Sequence, residues 1–215
     1  MKYKILYIDD ERSDFLKLKR DMGEYFEIEE GFTSGITLET LIPILDERDF
    51  DFLIVDSNLN DKTGCGFNGK DVLQYFTKKY PHFPVMLFTN YDDQAVAEID
   101  DFDLNKIYSK RQLLHEKDRE VLIQKINKII KTYEDDIKEA EEKITKIIEK
   151  KKEGKDLTAQ EEDEAIELDT FLDEILDGSS PLVPQQLKAS NEEKIDQLLN
   201  KTDDLINKLK KYEKV

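Results

Sequence analysis

Charged and hydroxyl side chains follow three short apolar runs and one mixed run of this sequence. They are Asp9 and Asp10 after Ile5–Ile8, Asp56 after Phe52–Val55, Thr89 after Val85–Phe88 and Lys110 after Leu104–Tyr108. If each run is a strand of one parallel sheet, the carboxyl ends of the strands meet at one edge, which is where open α/β sheets bind ligands. The sequence therefore predicts a site with three carboxylates, one hydroxyl and one lysine.

This set of side chains is suited to phosphoryl transfer. Close carboxylates repel one another and favour a hard divalent cation such as Mg²⁺, which prefers oxygen ligands. A carboxylate at the end of a buried strand, here Asp56, can attack a phosphoryl donor as a nucleophile. A metal ion and Lys110 can neutralise charge on the transferred oxygens, and Thr89 can donate a hydrogen bond to the product.

The elements that must position these residues alternate between strand and helix patterns in the first half of the chain. Strands are predicted at Ile5–Ile8, Tyr25–Ile28, Phe52–Val55, Val85–Phe88 and Leu104–Tyr108, and helices at Phe15–Met22, Ile36–Leu45, Lys70–Tyr80 and about Gln94–Ile99. This alternation predicts a doubly wound α/β fold with a parallel five-stranded sheet.

The second half has no strand pattern and is predicted to be an all-α, coiled-coil-like extension. Its first apolar stripe is Leu122, Ile126, Ile129, Tyr133, Ile137, Ala140, Ile144 and Ile147, with spacings of three and four. The predicted elements are a helix from about 118 to 153, a helix at about 159–177 that begins with a Thr158–Glu161 capping box, a linker at 178–189 and a helix at about 191–213. Because each helix has one apolar stripe, it must pack on another helix, on the first domain or on a second chain.

The motifs at the strand ends resemble the receiver domain of two-component response regulators. The resemblance covers about residues 2–131, and its motifs are Tyr7-Ile8-Asp9-Asp10-Glu11, Leu53-Ile54-Val55-Asp56, Leu87-Phe88-Thr89-Asn90 and Tyr108-Ser109-Lys110. It implies a flavodoxin-like receiver domain over residues 1–131, followed by the helical extension over 132–215.

The resemblance also implies a role for each site residue. Asp9, Asp10 and Asp56 would hold Mg²⁺ together with the backbone carbonyl of Asn58, and Asp56 would accept the phosphoryl group. Thr89 would be the switch hydroxyl, and Lys110 would pair with a phosphoryl oxygen. The chain departs from the family pattern at three positions: Arg111 replaces a proline, Ile107 replaces an aromatic residue and Asn90 replaces a small residue.

We therefore expect a response regulator whose Asp56 is phosphorylated by a sensor histidine kinase, a phosphotransfer protein or a small donor such as acetyl phosphate. Its output would be protein contacts of the helical extension, including a possible homodimer. We do not expect an enzyme, beyond slow self-phosphorylation and self-dephosphorylation. Two alternatives stay open. The chain could be a stand-alone relay intermediate or phosphate sink, or a receiver-like scaffold that does not switch.

Composition argues against several other classes of protein. The 215 residues carry a formal net charge of −17, and phosphate contacts in nucleic-acid binding need clustered Lys and Arg. No apolar run approaches the ~20 residues of a membrane span. A single cysteine, Cys65, cannot form an internal disulfide or a cysteine-rich zinc site. We therefore expect a cytoplasmic protein that binds neither nucleic acid nor membrane.

Overall fold

The computed structural model describes residues 2–31, 37–59, 66–90 and 106–176. In chain order, the elements are β1 (Lys4–Ile8), α1 (Arg12–Met22), β2 (Glu27–Glu30), α2 (Leu38–Glu47), β3 (Phe52–Asp56), α3 (Gly69–Lys79), β4 (Val85–Thr89), β5 (Ile107–Ser109), a 3-10 turn (Lys110–Leu113), α4 (Glu116–Lys152) and α5 (Ala159–Leu176). The predicted helix at 94–99, linker at 178–189 and helix at 191–213 lie outside the described residues.

The five strands form one parallel sheet in the order β2-β1-β3-β4-β5. This is the flavodoxin-like order of a doubly wound sheet, so the predicted fold class is confirmed. The central strands β3 and β4 are buried at every position, as a parallel sheet covered on both faces requires. Their carboxyl ends place Asp56 and Thr89 at one edge of the sheet.

The predicted second strand, Tyr25–Ile28, is wrong at its boundaries, because β2 begins at Glu27 and ends at Glu30. The backbone amides of Tyr25 and Phe26 both donate to the carbonyl of Met22, at 2.9 and 3.0 Å, and so continue the turn that ends α1. β2 is an edge strand with Ile28 as its only buried residue. Its apolar signal is therefore weak, and pairing with β1 sets its position.

Chain contacts divide the molecule into two compact units. Unit 1 comprises Met1–Lys78 and Phe83–Tyr133, and unit 2 comprises Lys79–His82 and Glu134–Val215. The predicted boundary between residues 131 and 132 lies two residues before the main division. The described helices include none that is long and apolar enough to cross a membrane.

The core of unit 1 lies between the sheet and two of its helices. The sheet contributes alternate residues, including Tyr7, Ile54 and Phe88, and the first part of α4 contributes Leu122 and Ile126. At the next turn of α4, Ile130 is buried, whereas the predicted core residue Ile129 is only partly buried against this cluster. The helix follows its own 3.6-residue period, so the buried stripe moves by one position from the sequence-based assignment.

Unit 2 contains the second part of α4 and the helix α5. Its buried cluster is Ala140, Ile144, Ile148 and Leu172. The Thr158–Glu161 capping box is confirmed, because the Thr158 amide donates to Oε2 of Glu161 at 2.8 Å and the Glu161 amide donates to Oγ1 of Thr158 at 3.3 Å. Lys150 adds an ion pair to the same carboxylate at 2.6 Å. These contacts fix the start of α5 against the end of α4.

Candidate functional site

The three predicted carboxylates lie together at the carboxyl edge of the sheet. Asp9, Asp10 and Asp56 each place a carboxylate oxygen within 4.8 Å of the others. Asp9 is 5% exposed and Asp56 is 3% exposed, whereas Asp10 is half-buried. Strands β1 and β3 are direct neighbours in the sheet. Asp9 and Asp10, which follow β1, therefore lie next to Asp56, which ends β3.

Lys110 is the cation of this cluster. Its Nζ lies 2.7 Å from Oδ2 of Asp9, 2.7 Å from Oδ1 of Asp56 and 3.0 Å from Oδ2 of Asp14. The side chain is only 10% exposed. Nζ donates hydrogen bonds to Asp9 and Asp14, whereas its contact with Oδ1 of Asp56 is an ion pair without hydrogen-bond geometry. β5 and the 3-10 turn after it carry the lysine into this position.

The electrostatics of the site favour a partly protonated Asp56 at mildly acidic pH. Burial raises the pKa of Asp56 to about 6, since it and the charge of Asp9 outweigh the opposing effect of Lys110. Burial would lower the pKa of Lys110, but the Asp56 and Asp9 carboxylates outweigh burial and raise it. Lys110 therefore stays charged, and Asp56 is mainly a carboxylate above neutral pH.

The backbone around Asp56 is tightly packed. The amide of Asn58 donates to Oδ2 of Asp56 at 3.0 Å, while the role of the Asn58 carbonyl as a metal ligand stays a prediction. Gly69 begins α3 directly against this turn, and a Cβ atom at Gly69 would lie 1.9 Å from the backbone oxygen of Asp56. Only glycine allows α3 to approach the end of β3 so closely.

Thr89 lies where the sequence predicted it, as the last residue of β4, and it is 6% exposed. β4 is the neighbour of β3, and Asp56 pairs in register with Phe88. Thr89 thus lies one position further along this edge of the sheet. Its role as a switch hydroxyl stays a prediction.

The donor set suits a magnesium ion. Carboxylate oxygens are hard ligands, and Mg²⁺ binds them at about 2.0–2.1 Å, which separates opposite ligands by about 4 Å. The three carboxylates each place an oxygen within 4.8 Å of the others, which is close to this separation. Asp9, Asp10 and Asp56 therefore fit the ion that the sequence predicts.

Solved structures of receiver domains are similar to this chain. The BeF3-activated receiver domain of DrrB has 18% sequence identity and a TM-score of 0.44, with 61% of this chain and 99% of that chain covered. The signal receiver domain of an HD domain-containing protein from Pseudomonas fluorescens Pf-5 has 15% identity and a TM-score of 0.47, with 63% and 99% covered. A response regulator receiver domain protein from Clostridium thermocellum has 22% identity and a TM-score of 0.45, with 61% and 97% covered. No protein-family model and no curated protein matches the chain.

Two side chains of the site were not predicted from the sequence. The hydroxyl of Tyr7 donates to Oδ2 of Asp9, and Asp14 of α1 shares its carboxylate between Lys17 and Lys110. Burial would raise the pKa of Asp14, but the two lysines outweigh burial and lower it. Burial and the charge of Asp9 raise the pKa of Tyr7 well above its usual value, so the hydroxyl keeps its proton.

The departures at the end of the sheet are also visible in the structure. Tyr108 is 8% exposed and belongs to the core of unit 1, with Nζ of Lys125 4.3 Å from the centre of its ring. Ile107 and Ser109, on either side, are half-buried. The alternation of the strand therefore places Tyr108 on the opposite face from Ile107, within the core of unit 1. No described peptide bond is cis, including the one before Arg111.

Proposed function

We propose that this chain is a response regulator that accepts a phosphoryl group on Asp56 in a phosphorelay. The observation that carries the proposal is the pair of 2.7 Å contacts from Lys110 to Asp9 and Asp56 within a cluster of three carboxylates. An ion pair alone would explain one carboxylate. Placing three carboxylates around one lysine costs folding free energy. Phosphoryl transfer explains this cost, because it needs both the carboxylates and the lysine.

In the proposed reaction, a carboxylate oxygen of Asp56 attacks the phosphorus of a phosphohistidine or of acetyl phosphate. A new O–P bond forms, the donor's N–P or O–P bond breaks, and the leaving group takes the electron pair. The attacking group must be ionised, which a pKa of about 6 permits at pH 7.5. Lys110 neutralises negative charge on the transferred oxygens, while the Asn58 amide holds the carboxylate in orientation.

A magnesium ion held by Asp9, Asp10 and Asp56 would supply further positive charge to the phosphoryl oxygens. The donor would be a sensor histidine kinase or a phosphotransfer protein. The chain itself would be no enzyme, apart from slow self-phosphorylation and self-dephosphorylation, and it would act in the cytoplasm.

For the output, we propose protein contacts of the helical extension rather than DNA binding. One helix, α4, supplies Leu122 and Ile126 to the core of unit 1 and Ala140 and Ile144 to the core of unit 2. If the first part of α4 repacks after phosphorylation, the position of its second part, in the extension, would therefore change as well. A homodimer or a captured partner protein would be the readout. The variant Leu172→Asp disrupts the core of unit 2 and tests this output. If signalling by the variant is unchanged, the chain is a relay intermediate or a phosphate sink instead.

The second candidate is a receiver-like scaffold that does not switch. It is favoured by the departures from the family pattern at Ile107, Asn90 and Arg111. The one aromatic ring of β5, Tyr108, is buried in the core of unit 1 on the opposite face from Ile107. In a scaffold, phosphorylation of Asp56 would have no effect on the extension.

The first test is intact-mass spectrometry of the full chain after incubation with acetyl phosphate and Mg²⁺. We expect wild type to gain one phosphoryl group, Asp56→Ala to gain none, and Asp46→Ala, a carboxylate variant outside the site, to behave as wild type. Failure of wild type both to gain mass and to bind beryllofluoride would contradict the proposal and favour the scaffold.

A further inference from the structure

The ring of Tyr7 lies in the apolar core, whereas its hydroxyl contacts a residue of the site. It is a core residue of β1 with 2% exposure, and its ring packs edge-on against Phe88 with centroids 6.1 Å apart. Residues two apart on a strand share a face, so its hydroxyl reaches the side chain of Asp9. A core position on β1 needs only an apolar ring, which phenylalanine would also provide. The hydroxyl is therefore an addition that the core does not explain.

The contacts of Asp9 differ between its two oxygens. Oδ1 accepts the amide of Glu11 at 2.7 Å. Oδ2 accepts both Nζ of Lys110 at 2.7 Å and the hydroxyl of Tyr7. Each carboxylate oxygen offers two acceptor positions. Oδ2 is therefore filled, whereas Oδ1 keeps one position for a further ligand.

We propose that Tyr7 is a positioning residue that sets the orientation of Asp9 for a divalent cation. The hydrogen bond from the Tyr7 hydroxyl fixes the position of Oδ2. Oδ1 is then the oxygen that would bind the ion. This inference rests on the proposed function, because it assumes that Asp9 is a metal ligand. Hydrogen bonds of this kind orient ligands, and their loss reduces metal affinity by about 10–100-fold.

The test is binding of Mn²⁺, which prefers the same oxygen ligands, to the full chain without any phosphoryl donor. The signal of free Mn²⁺ in electron paramagnetic resonance gives the dissociation constant. We expect Tyr7→Phe to weaken binding about tenfold, because it keeps the ring and removes only the hydroxyl. The matched control is Tyr75→Phe, which removes a hydroxyl that lies 3.3 Å from the Asp46 carboxylate, outside the site; it should bind as wild type.

Two further variants separate this inference from the proposed function. Asp9→Asn should weaken binding at least as much as Tyr7→Phe, and adding Tyr7→Phe to Asp9→Asn should cause no further loss, because Tyr7 acts through Asp9. A purely structural effect of Tyr7→Phe would add to that of Asp9→Asn and would overturn the inference. So would a dissociation constant of Tyr7→Phe within twofold of wild type. If Asp9→Asn itself binds as wild type, the metal site of the proposed function fails as well.

Discussion

Replacing Asp56 by asparagine should stabilise the metal-free protein at pH 7.5. Burial raises the pKa of this carboxyl from 3.8 to about 6, so the ionised form is disfavoured in the folded state. A shift of about 2 pKa units corresponds to about 3 kcal/mol. Asparagine removes the charge and keeps an acceptor for the Asn58 amide. Lys110 keeps Asp9 and Asp14 as partners, so we expect a gain of about 1–3 kcal/mol in the free energy of unfolding.

The pH dependence gives the sharper test. With a raised pKa in the folded state, the native protein binds more protons than the unfolded chain between pH 3.8 and about 6. The stabilising contribution of Asp56 is therefore fully present below pH 3.8 and is lost as the pH rises through about 6. The advantage of Asp56→Asn should be about 1 kcal/mol smaller at pH 5.5 than at pH 7.5.

The assay is urea unfolding followed by far-UV circular dichroism, in buffer with EDTA, at both pH values. Asp46→Asn controls for the removal of one negative charge from a chain of net charge −17. A destabilised Asp56→Asn at pH 7.5 would refute the reasoning. An advantage that is equal at both pH values would refute the assigned cause, because burial of a titrating carboxyl must depend on pH.

Three further substitutions test other contacts by the same unfolding assay. Lys110→Met leaves Asp9 and Asp56 buried without their cation, and should cost about 3–5 kcal/mol at pH 7.5 without metal; a loss below 1 kcal/mol would contradict the ion cluster. Gly69→Ala places a Cβ 1.9 Å from the Asp56 carbonyl oxygen and should cost about 1–3 kcal/mol, and Mn²⁺ titration should show weaker binding. Leu172→Ala, fully buried in unit 2, should cost about 2–5 kcal/mol, and an unchanged unfolding curve would contradict the α4–α5 core.

The sequence predicted the site because strand ends are easy to locate. Continuous apolar runs such as Phe52–Val55 are typical of buried parallel strands, and the polar residue that ends each run is then placed without knowledge of the helices. Asp9 and Asp56 were identified in this way, whereas Lys110 follows a predicted strand, Leu104–Tyr108, that has a mixed sequence. The edge strand β2 was misplaced for the opposite reason, since a charged strand with one buried residue is positioned by its partner and not by its own pattern.

Tyr7 and Asp14 were missed because each resembles an ordinary member of its element. An aromatic residue within an apolar run predicts a core ring, and nothing local shows that its hydroxyl has a partner. The alternation of the strand was the available signal, because it places Tyr7 and Asp9 on one face. Asp14 is one of several acidic residues near the start of α1, and only the fold brings Lys110 to it from 96 positions along the chain.

The charges of the site predict that phosphorylation of Asp56 requires a divalent cation. The formal charges of Asp9, Asp10 and Asp56 sum to −3, and Lys110 brings the total to −2; the charge of Asp14 is balanced by Lys17. A phosphoryl group carries about −1.5 to −2 in place of one carboxylate charge, which would bring the total to about −3. One divalent cation would bring it to about −1, less negative than the empty site. We therefore expect EDTA to abolish the mass gain from acetyl phosphate, and Na⁺ at matched ionic strength not to restore it. Labelling in EDTA at the rate seen with Mg²⁺ would show that Lys110 alone balances the transferred charge.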